Sequence, residues 1–312
     1  MKFRYALDRR RRMGQFTGRR REMKIAIVTD SNSGIMPAAG KEAGIHVIPM
    51  PILIDEQTYY EGQDITPEEF YERLSQGVSA TTSQPSPGII IEAWKTLLKS
   101  YNEVLYIPMS SGLSNTCQTA VMLSQEDEFA GKVHVVDNHR ISVPQAQSVY
   151  DAKVLAETIE NGREIKEILE KESLDASIYI AVDTLEYLKK GGRITPAAAA
   201  VGTVLNLKPV LTIQGDKLDA CTKTRGMKAA FKAMCKAVEK DIQTRFADLH
   251  SQGLLKTGIA TTFTDPEKLS YFQEEMRNHF PDMELLSAPL TMSIGCHTGP
   301  GALGIGVFRA HV

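Results

Sequence analysis

Apolar runs of strand length alternate with segments of helical character between residues 24 and 161. The first run, 24–30, is almost continuously apolar and ends in Thr29-Asp30, as is typical of a strand buried on both faces of a parallel sheet. The elements predicted after it are an edge or bent strand 47–54 (with Pro49 and Pro51), helix 66–77, helix 87–100, strand 103–109, helix 114–125, strand 132–137 and helix 145–161. Because parallel strands are joined by helical crossovers, this alternation predicts an N-terminal domain with a Rossmann-like parallel βαβ sheet over residues 23–162.

From about residue 163 the order of predicted strands and helices becomes less regular. Gly215-Asp216 separates two strand-like runs, which indicates a hairpin. The predicted elements are helix 163–172, strand 177–182, a turn at 189–195, strands 209–214 and 217–222, a long helix at about 226–250, strand 257–262, helix 266–279, strand 283–288 and strand 304–310. We therefore predict an α/β protein of two domains. The second is a mixed α/β domain over residues 163–312, with a ligand cleft between the domains and the last strand packing back near that cleft.

Residues 1–22 differ in composition from the rest of the chain. They contain eight arginines and few apolar residues. No apolar segment follows these charges, so the pattern does not fit a secretory signal. A basic arm that contacts anionic lipid or nucleic acid is one interpretation. Since a clean strand begins directly after Met23, we favour a disordered basic extension that precedes the folded chain.

Composition excludes several classes of function. A formal net charge of −2 argues against a general nucleic-acid-binding protein. The four cysteines form no C-x-x-C pair, which fits a reducing compartment and predicts no zinc or other metal site. No apolar run reaches the roughly 18 residues that a membrane-spanning helix needs. We therefore expect a soluble, cytoplasmic protein without a cofactor.

Two hydroxyl-rich turns each lie directly before a predicted helix. The first covers 81–88 and the second 110–116. In the first, Ser86-Pro87 is typical of an N-cap followed by proline at the first helical position. The N-terminus of a helix offers unpaired N–H groups, so hydroxyls beside it can hold an anion without a formal charge. One such turn is most often only a cap. Two at one edge of a sheet predict a shared oxyanion site.

Three further residues are candidates for a role at this site. Asp30 ends the first strand, where it either contacts a ligand or caps the next helix. Arg193 follows two glycines, and we favour a domain-bridging role over pairing with a carboxylate. A single histidine in a chain of this size is most often structural or solvated, but the predicted glycine-flanked loop around His297 raises the weight of ligand contact. The run 299–304 matches G-x-G-x-x-G, but the eight residues after Gly304 are too few for the helix and acid of a dinucleotide site.

Several short blocks, taken in chain order, resemble the DegV family of fatty-acid-binding proteins with the EDD fold. The resemblance covers about residues 23–312. Its blocks are 29–31, 82–86, 110–114, 188–194, 205–209, and His297 with 299–302. One position departs from the family pattern, because Asn115 stands where the family usually has glycine after the serine.

The resemblance implies a bound long-chain fatty acid. Its carboxylate would be held by Thr82 and Ser114, which match the family's threonine and serine. The implied carboxylate contacts are Thr82, Ser83, Ser114, Asn115 and His297, and the supporting polar network is Ser111, Arg193 and Gly299. The family is similar to the carrier subunit of bacterial fatty acid kinase, which presents the acyl carboxylate to a separate ATP-using partner. Acyl phosphate formation, phospholipid synthesis and transient contact with a membrane would follow.

Two other hypotheses stay open at this point. The first is a stand-alone enzyme that acts on a small carboxylate or phosphate with His297 as acid or base. The second is a lipid sensor without a catalytic partner. The chain shows no G-x-x-x-x-G-K-[ST] loop and no obvious metal-binding carboxylate cluster, which favours a carrier that performs no catalysis itself. A long apolar cavity would support the carrier, and a short polar pocket would support the enzyme.

Overall fold

The computed structural model describes residues 24–200 and 207–311. The predicted extension 1–22 and part of the block 205–209 lie outside these residues. The strands are β1 (Ile25–Asp30), β2 (His46–Ile48), β3 (Pro51–Ile54), β4 (Gln57–Tyr60), β5 (Ala80–Thr82), β6 (Glu103–Ile107), β7 (Val133–Val135), β8 (Ala176–Ala181), β9 (Leu207–Ile213), β10 (Asp219–Arg225), β11 (Leu255–Thr261), β12 (Leu285–Pro289) and β13 (Leu303–Arg309). The helices are α1 (Pro37–Glu42), α2 (Pro67–Ser75), α3 (Pro87–Leu98), α4 (Thr116–Ser124), α5 (Ser142–Ala156), α6 (Gly162–Lys171), α7 (Glu186–Gly191), α8 (Pro196–Ala199), α9 (Met227–Gln243), α10 (Ala247–Ser251), α11 (Pro266–His279) and α12 (Met292–Thr298).

The first sheet has the order β2-β1-β6-β7, and all of its strand pairs are parallel. This confirms the parallel sheet predicted from the alternation of strands and helices. β1 and β6 are apolar because helices cover both of their faces. Trp94 of α3 packs on one face with Val28, and Ile165 of α6 packs on the other face with Ile27. The carboxyl edge of this sheet is therefore open to a ligand, as in other parallel α/β sheets.

The prediction of one bent strand over 47–54 is wrong, because the chain leaves the first sheet at Pro49. Proline cannot donate to a ladder of hydrogen bonds, so β2 ends at Ile48. β3 then enters a small antiparallel sheet of order β4-β3-β5. In this small sheet Ile52 pairs with Thr82, the last residue of β5. The small sheet thereby fixes the backbone of the first hydroxyl-rich turn.

The second sheet is mixed, with the order β10-β9-β8-β13-β11-β12. The mixed α/β character and the β9–β10 hairpin are as predicted, and the last strand β13 lies near the centre, between β8 and β11. The helix predicted at about 226–250 is divided instead. α9 ends at Gln243, because Phe246 turns back into the core and its N–H bonds to Asp241 O, so α10 begins separately.

Packing groups α6 with the first sheet. Its Ile165 and Leu169 lie in the same apolar cluster as Ile27 and Leu105. β8 is the first strand along the chain that belongs to the second sheet. None of the helices within residues 24–200 and 207–311 has the length and apolar character that crossing a membrane requires.

Candidate functional site

A cavity of about 360 Å³ lies between the carboxyl edge of the first sheet, the small sheet, α12 and one face of the second sheet. Its wall is mostly apolar on the side of the second sheet. The residues there are Ile178, Ile180, Ile213, Gly258, Ala260, Gly304 and Gly306. Polar residues gather where the two hydroxyl-rich turns meet α12, and they are Thr82, Ser83, Gln84, Ser114, Asn115, Thr119, Arg193 and His297. The cavity thus joins a polar cluster to an apolar floor.

His297 lies on α12, so its predicted loop position is wrong. The glycines that suggested a loop follow the helix, and Gly299, with a φ of +73°, ends it. The helix brings the imidazole to the small sheet, where His297 Nε2 and Thr82 Oγ1 are 2.9 Å apart. Residues 215 positions apart in the chain are therefore hydrogen-bonded in the candidate site.

The imidazole of His297 is neutral at physiological pH. Burial lowers the pKa of His297 to about 4, and the positive charge of Arg193 lowers it further in the same direction. Nδ1 is buried without a hydrogen-bond partner in the described residues, and Gly191 leaves room for the ring at that edge. Because a buried N–H without an acceptor is rarer than an unpaired acceptor, we assign the proton to Nε2. His297 then donates to Thr82, whose own hydroxyl hydrogen stays free.

The second hydroxyl-rich turn leads directly into α4. Thr116 N donates to Ser114 Oγ at 3.2 Å, and the hydroxyls of these two residues are 2.8 Å apart. Asn115 precedes the first turn of α4, and its side chain makes no capping hydrogen bond and is exposed. The N-terminal end of a nine-residue helix therefore faces the polar cluster. Such an end favours a negative charge.

Arg193 joins the two halves of the site. It follows α7, and its Nε donates to Leu113 O at 3.2 Å, next to Ser114. A second nitrogen of its guanidinium donates to Gly191 O. Arg193 thus links the segment between α7 and α8 to the hydroxyl-rich turn that precedes α4. Its guanidinium also adds a positive charge beside the cavity.

Comparison with known proteins identifies the family. A family model described as an uncharacterised protein, DegV family, matches residues 24–310. The chain belongs to the DegV family. A DegV domain-containing protein of Deinococcus radiodurans is 32% identical over 286 residues, which cover 91% of this chain and 98% of that protein. The family that the short sequence blocks suggested is therefore confirmed.

Solved DegV structures share the fold. A DegV family protein from Thermus thermophilus, described by its fatty acid binding, superposes with a TM-score of 0.81 at 32% identity, covering 92% of this chain and 100% of that one. DegV from Bacillus subtilis, described as a fatty acid binding protein, superposes with a TM-score of 0.78 at 28% identity, covering 92% and 99%. Both of these DegV proteins are described as binding fatty acids.

The cavity brings together most of the residues that the DegV resemblance selected. Thr82, Ser83, Ser114, Asn115, Arg193 and His297 line it. Ser111 and Gly299 do not. The N–H of Ser111 donates to Asp137 at 3.3 Å, and Gly299 packs against the ring of Tyr187. Asp30 acts as a cap, the second of its two interpretations, because its carboxylate accepts from the N–H groups of Asn32 and Met109.

Sequence reasoning missed two features of this DegV site. The first is the open floor made by Gly304 and Gly306, for which the alternation of glycines along a strand was an available signal. The second is Glu61, a fully buried acid beside the cavity. Burial raises the pKa of Glu61 to about 7, against the hydrogen bonds from Ser31 and Ser293 that lower it. Nothing in its local sequence distinguishes Glu61 from a surface acid.

The depressed pKa of His297 predicts an acid-sensitive contribution to stability. Between about pH 4 and pH 6.5 the unfolded chain binds a proton that the folded His297 does not, so stability falls as the pH falls through this range. Replacing His297 with glutamine removes this contribution. Unfolding by urea should therefore show wild type losing about 2 kcal/mol relative to His297→Gln between about pH 8 and about pH 5. Parallel pH profiles of the two proteins would contradict the assignment of a neutral, buried imidazole.

Proposed function

We propose that the chain binds one long-chain fatty acid, with the carboxylate at Thr82 and Ser114 and the acyl tail along the floor of the second sheet. The observation that carries this proposal is the continuity of the cavity from a hydroxyl cluster to an apolar floor. The fatty acid binding stated for the solved DegV proteins from Thermus thermophilus and Bacillus subtilis supports it.

The polar cluster suits a carboxylate. With the His297 proton on Nε2, Thr82 accepts from the imidazole and directs its own hydroxyl hydrogen towards the cavity. Thr116 can donate to Ser114 Oγ, which frees the Ser114 hydroxyl in the same way. Hydroxyl donors, the N-terminus of α4 and the nearby charge of Arg193 then all favour an anion at one position.

The acyl tail and the hydroxyl cluster make different contributions to the binding free energy. Burial of about 14 methylenes at about 0.8 kcal/mol each contributes roughly 11 kcal/mol before the costs of association. Hydrogen bonds from the hydroxyls to a charged acceptor contribute about 1.5–3 kcal/mol each. The tail therefore sets how tightly the lipid is held, and the hydroxyl cluster sets where its carboxylate points.

The proposed role is that of a cytoplasmic carrier for a separate ATP-dependent kinase. Ser83 and Asn115 are exposed at the polar cluster, and this exposure supports a carboxylate position that a partner enzyme can reach. In the partner, a carboxylate oxygen attacks the γ-phosphorus of ATP, so that acyl phosphate and ADP form. Enzymes of phospholipid synthesis would consume the acyl phosphate. A small polar substrate, which the enzyme hypothesis requires, would leave the apolar floor unfilled.

Extraction mass spectrometry of protein purified from bacteria without added lipid tests the binding proposal. We expect about one fatty acid of about 14–18 carbons per chain, since its tail accounts for most of the binding free energy. Protein bearing His297→Gln should still carry lipid, because the tail is untouched. A chain that carries no lipid, or a small polar acid in its place, would contradict the proposal and make His297 a candidate acid or base.

A further inference from the structure

Glu61 is a buried acid whose two oxygens serve different parts of the fold. It follows β4 and is 0% exposed. Its Oε1 accepts a hydrogen bond from the backbone N–H of Ser293 at 2.6 Å, and its Oε2 accepts from the hydroxyl of Ser31. Ser293 lies in the first turn of α12, and Ser31 follows β1. One side chain therefore ties the small sheet to both the first sheet and α12.

The surrounding network continues to the wall of the cavity. Ser31 Oγ also accepts from Met50 N at 2.9 Å, and Ser293 Oγ donates to Asn32 Oδ1 at 2.5 Å. Asn32, Met50 and Ser293 all line the cavity. The hydrogen bonds of Glu61 thus hold residues that shape the proposed binding site, although Glu61 does not line it.

The stability of α12 depends on contacts with residues outside the helix. A helix of seven residues is too short to be stable by itself. Thr291, its N-cap residue, makes no side-chain capping bond, and the carboxylate of Glu61 takes an N–H of the first turn in its place. Ser293 and His297 are four residues apart and so lie on the same face of the helix.

We propose that Glu61 is a positioning residue that fixes the first turn of α12 and thereby keeps His297, one turn later, in contact with Thr82. A carboxylate suits this task because it accepts from Ser293 N and Ser31 Oγ at once. An acceptor at this end also complements the helix dipole. The proposal deepens the proposed function and rests on it for the effect on lipid, but the geometry of His297 can be measured without any lipid.

The test follows the imidazole of His297 by two-dimensional ¹H–¹⁵N NMR in lipid-stripped protein, with signals assigned by their loss in His297→Gln. Wild type should show the neutral tautomer with the proton on Nε2. Glu61→Ala should lose this signature, with a mixture of tautomers and faster exchange of the Nε2 proton. Glu61→Gln should retain it, because the amide oxygen still accepts from Ser293 N and the amide nitrogen can donate to Ser31.

Glu103→Ala is the matched control. Glu103 is also buried, and its carboxylate also accepts from a backbone N–H at the start of a helix, Gly162 of α6, at 2.7 Å. It has a side-chain partner too, because His134 lies 3.1 Å from the same oxygen. Since α6 does not carry His297, Glu103→Ala should lower the melting temperature and leave the His297 signature as in wild type.

An unchanged His297 signature in folded Glu61→Ala would overturn the proposal, and so would its equal loss in Glu103→Ala. If Glu61→Ala does not fold, Glu61→Asp decides, since it keeps the carboxyl group but withdraws the oxygens by one methylene. A wild-type signature in that variant would overturn the proposal.

A palmitate titration of the same proteins separates this proposal from the proposed function. We expect the dissociation constant to rise roughly tenfold in Glu61→Ala and to stay within about twofold of wild type in Glu103→Ala. A changed imidazole signature with unchanged palmitate affinity would support the positioning role and contradict the carboxylate site. Wild type that binds no palmitate would contradict the proposed function alone.

Discussion

Thr82→Ala is expected to lower acyl-phosphate formation by the proposed partner kinase by about ten- to a hundredfold while the protein stays loaded with fatty acid. The variant removes the hydroxyl that lies 2.9 Å from His297 Nε2 and donates to the carboxylate in the proposed complex. One hydrogen bond to a charged acceptor is worth about 1.5–3 kcal/mol, which corresponds to that factor. The tail keeps its contribution of roughly 11 kcal/mol before the costs of association, so most of the favourable binding free energy remains in the variant. Phosphate transfer from ATP and lipid retention after gel filtration measure the two effects.

Ser114→Ala should have the same effect, and Ser111→Ala provides the control. Ser111 belongs to the same hydroxyl-rich turn but does not line the cavity. Its replacement should leave both phosphate transfer and lipid retention as in wild type. Equal loss of transfer and retention in Thr82→Ala or Ser114→Ala would contradict a hydroxyl cluster that orients the carboxylate.

Gly304→Leu is expected to weaken palmitate binding by about a hundredfold. Gly304 faces the cavity from β13, and a Cβ at this position would meet its nearest neighbour, Ala260 O, at 3.6 Å, which is ordinary contact. The backbone therefore accepts a side chain, and a leucine would occupy space proposed for the acyl tail. Displacing three to four methylenes at about 0.8 kcal/mol each gives about 3 kcal/mol. Isothermal titration with palmitate measures the change.

Gly304→Ala is the matched control for this variant. Its single methyl group lies in ordinary contact distance of Ala260, Tyr179 and Ile180, so palmitate should bind within a few-fold of wild type. The melting temperatures of both variants should stay close to wild type, since the Cβ that each adds lies at ordinary contact distance from its neighbours. Wild-type affinity in folded Gly304→Leu would contradict a tail that lies along the second sheet.

The parallel sheet and the two hydroxyl-rich turns could be predicted because their signals are local. β1 and β6 are apolar runs flanked by helical segments, and a strand-to-helix turn with Ser86-Pro87 is recognisable from residue types alone. The division of residues 47–54 between two sheets was harder to predict from the sequence. Pro49 signals an interruption, but the partner strands of β3 decide which sheet it joins.

The positions of His297 and Glu61 depend on contacts between distant parts of the chain. The glycines after His297 suggested a loop, although they follow the end of α12. The hydrogen bond between Glu61 and Ser293 joins residues 232 positions apart. No local spacing or periodicity contains this information, since it arises only when the small sheet packs against α12.

A crystal structure of the protein loaded with palmitate tests the central claim most directly. The account predicts one carboxylate oxygen within hydrogen-bond distance of Thr82 Oγ1 and Ser114 Oγ, with the tail passing over Gly304 towards Ile178 and Ile213. A palmitate bound in the reverse direction, with its carboxylate among the apolar residues of the second sheet, would contradict the account. So would a palmitate bound outside the cavity.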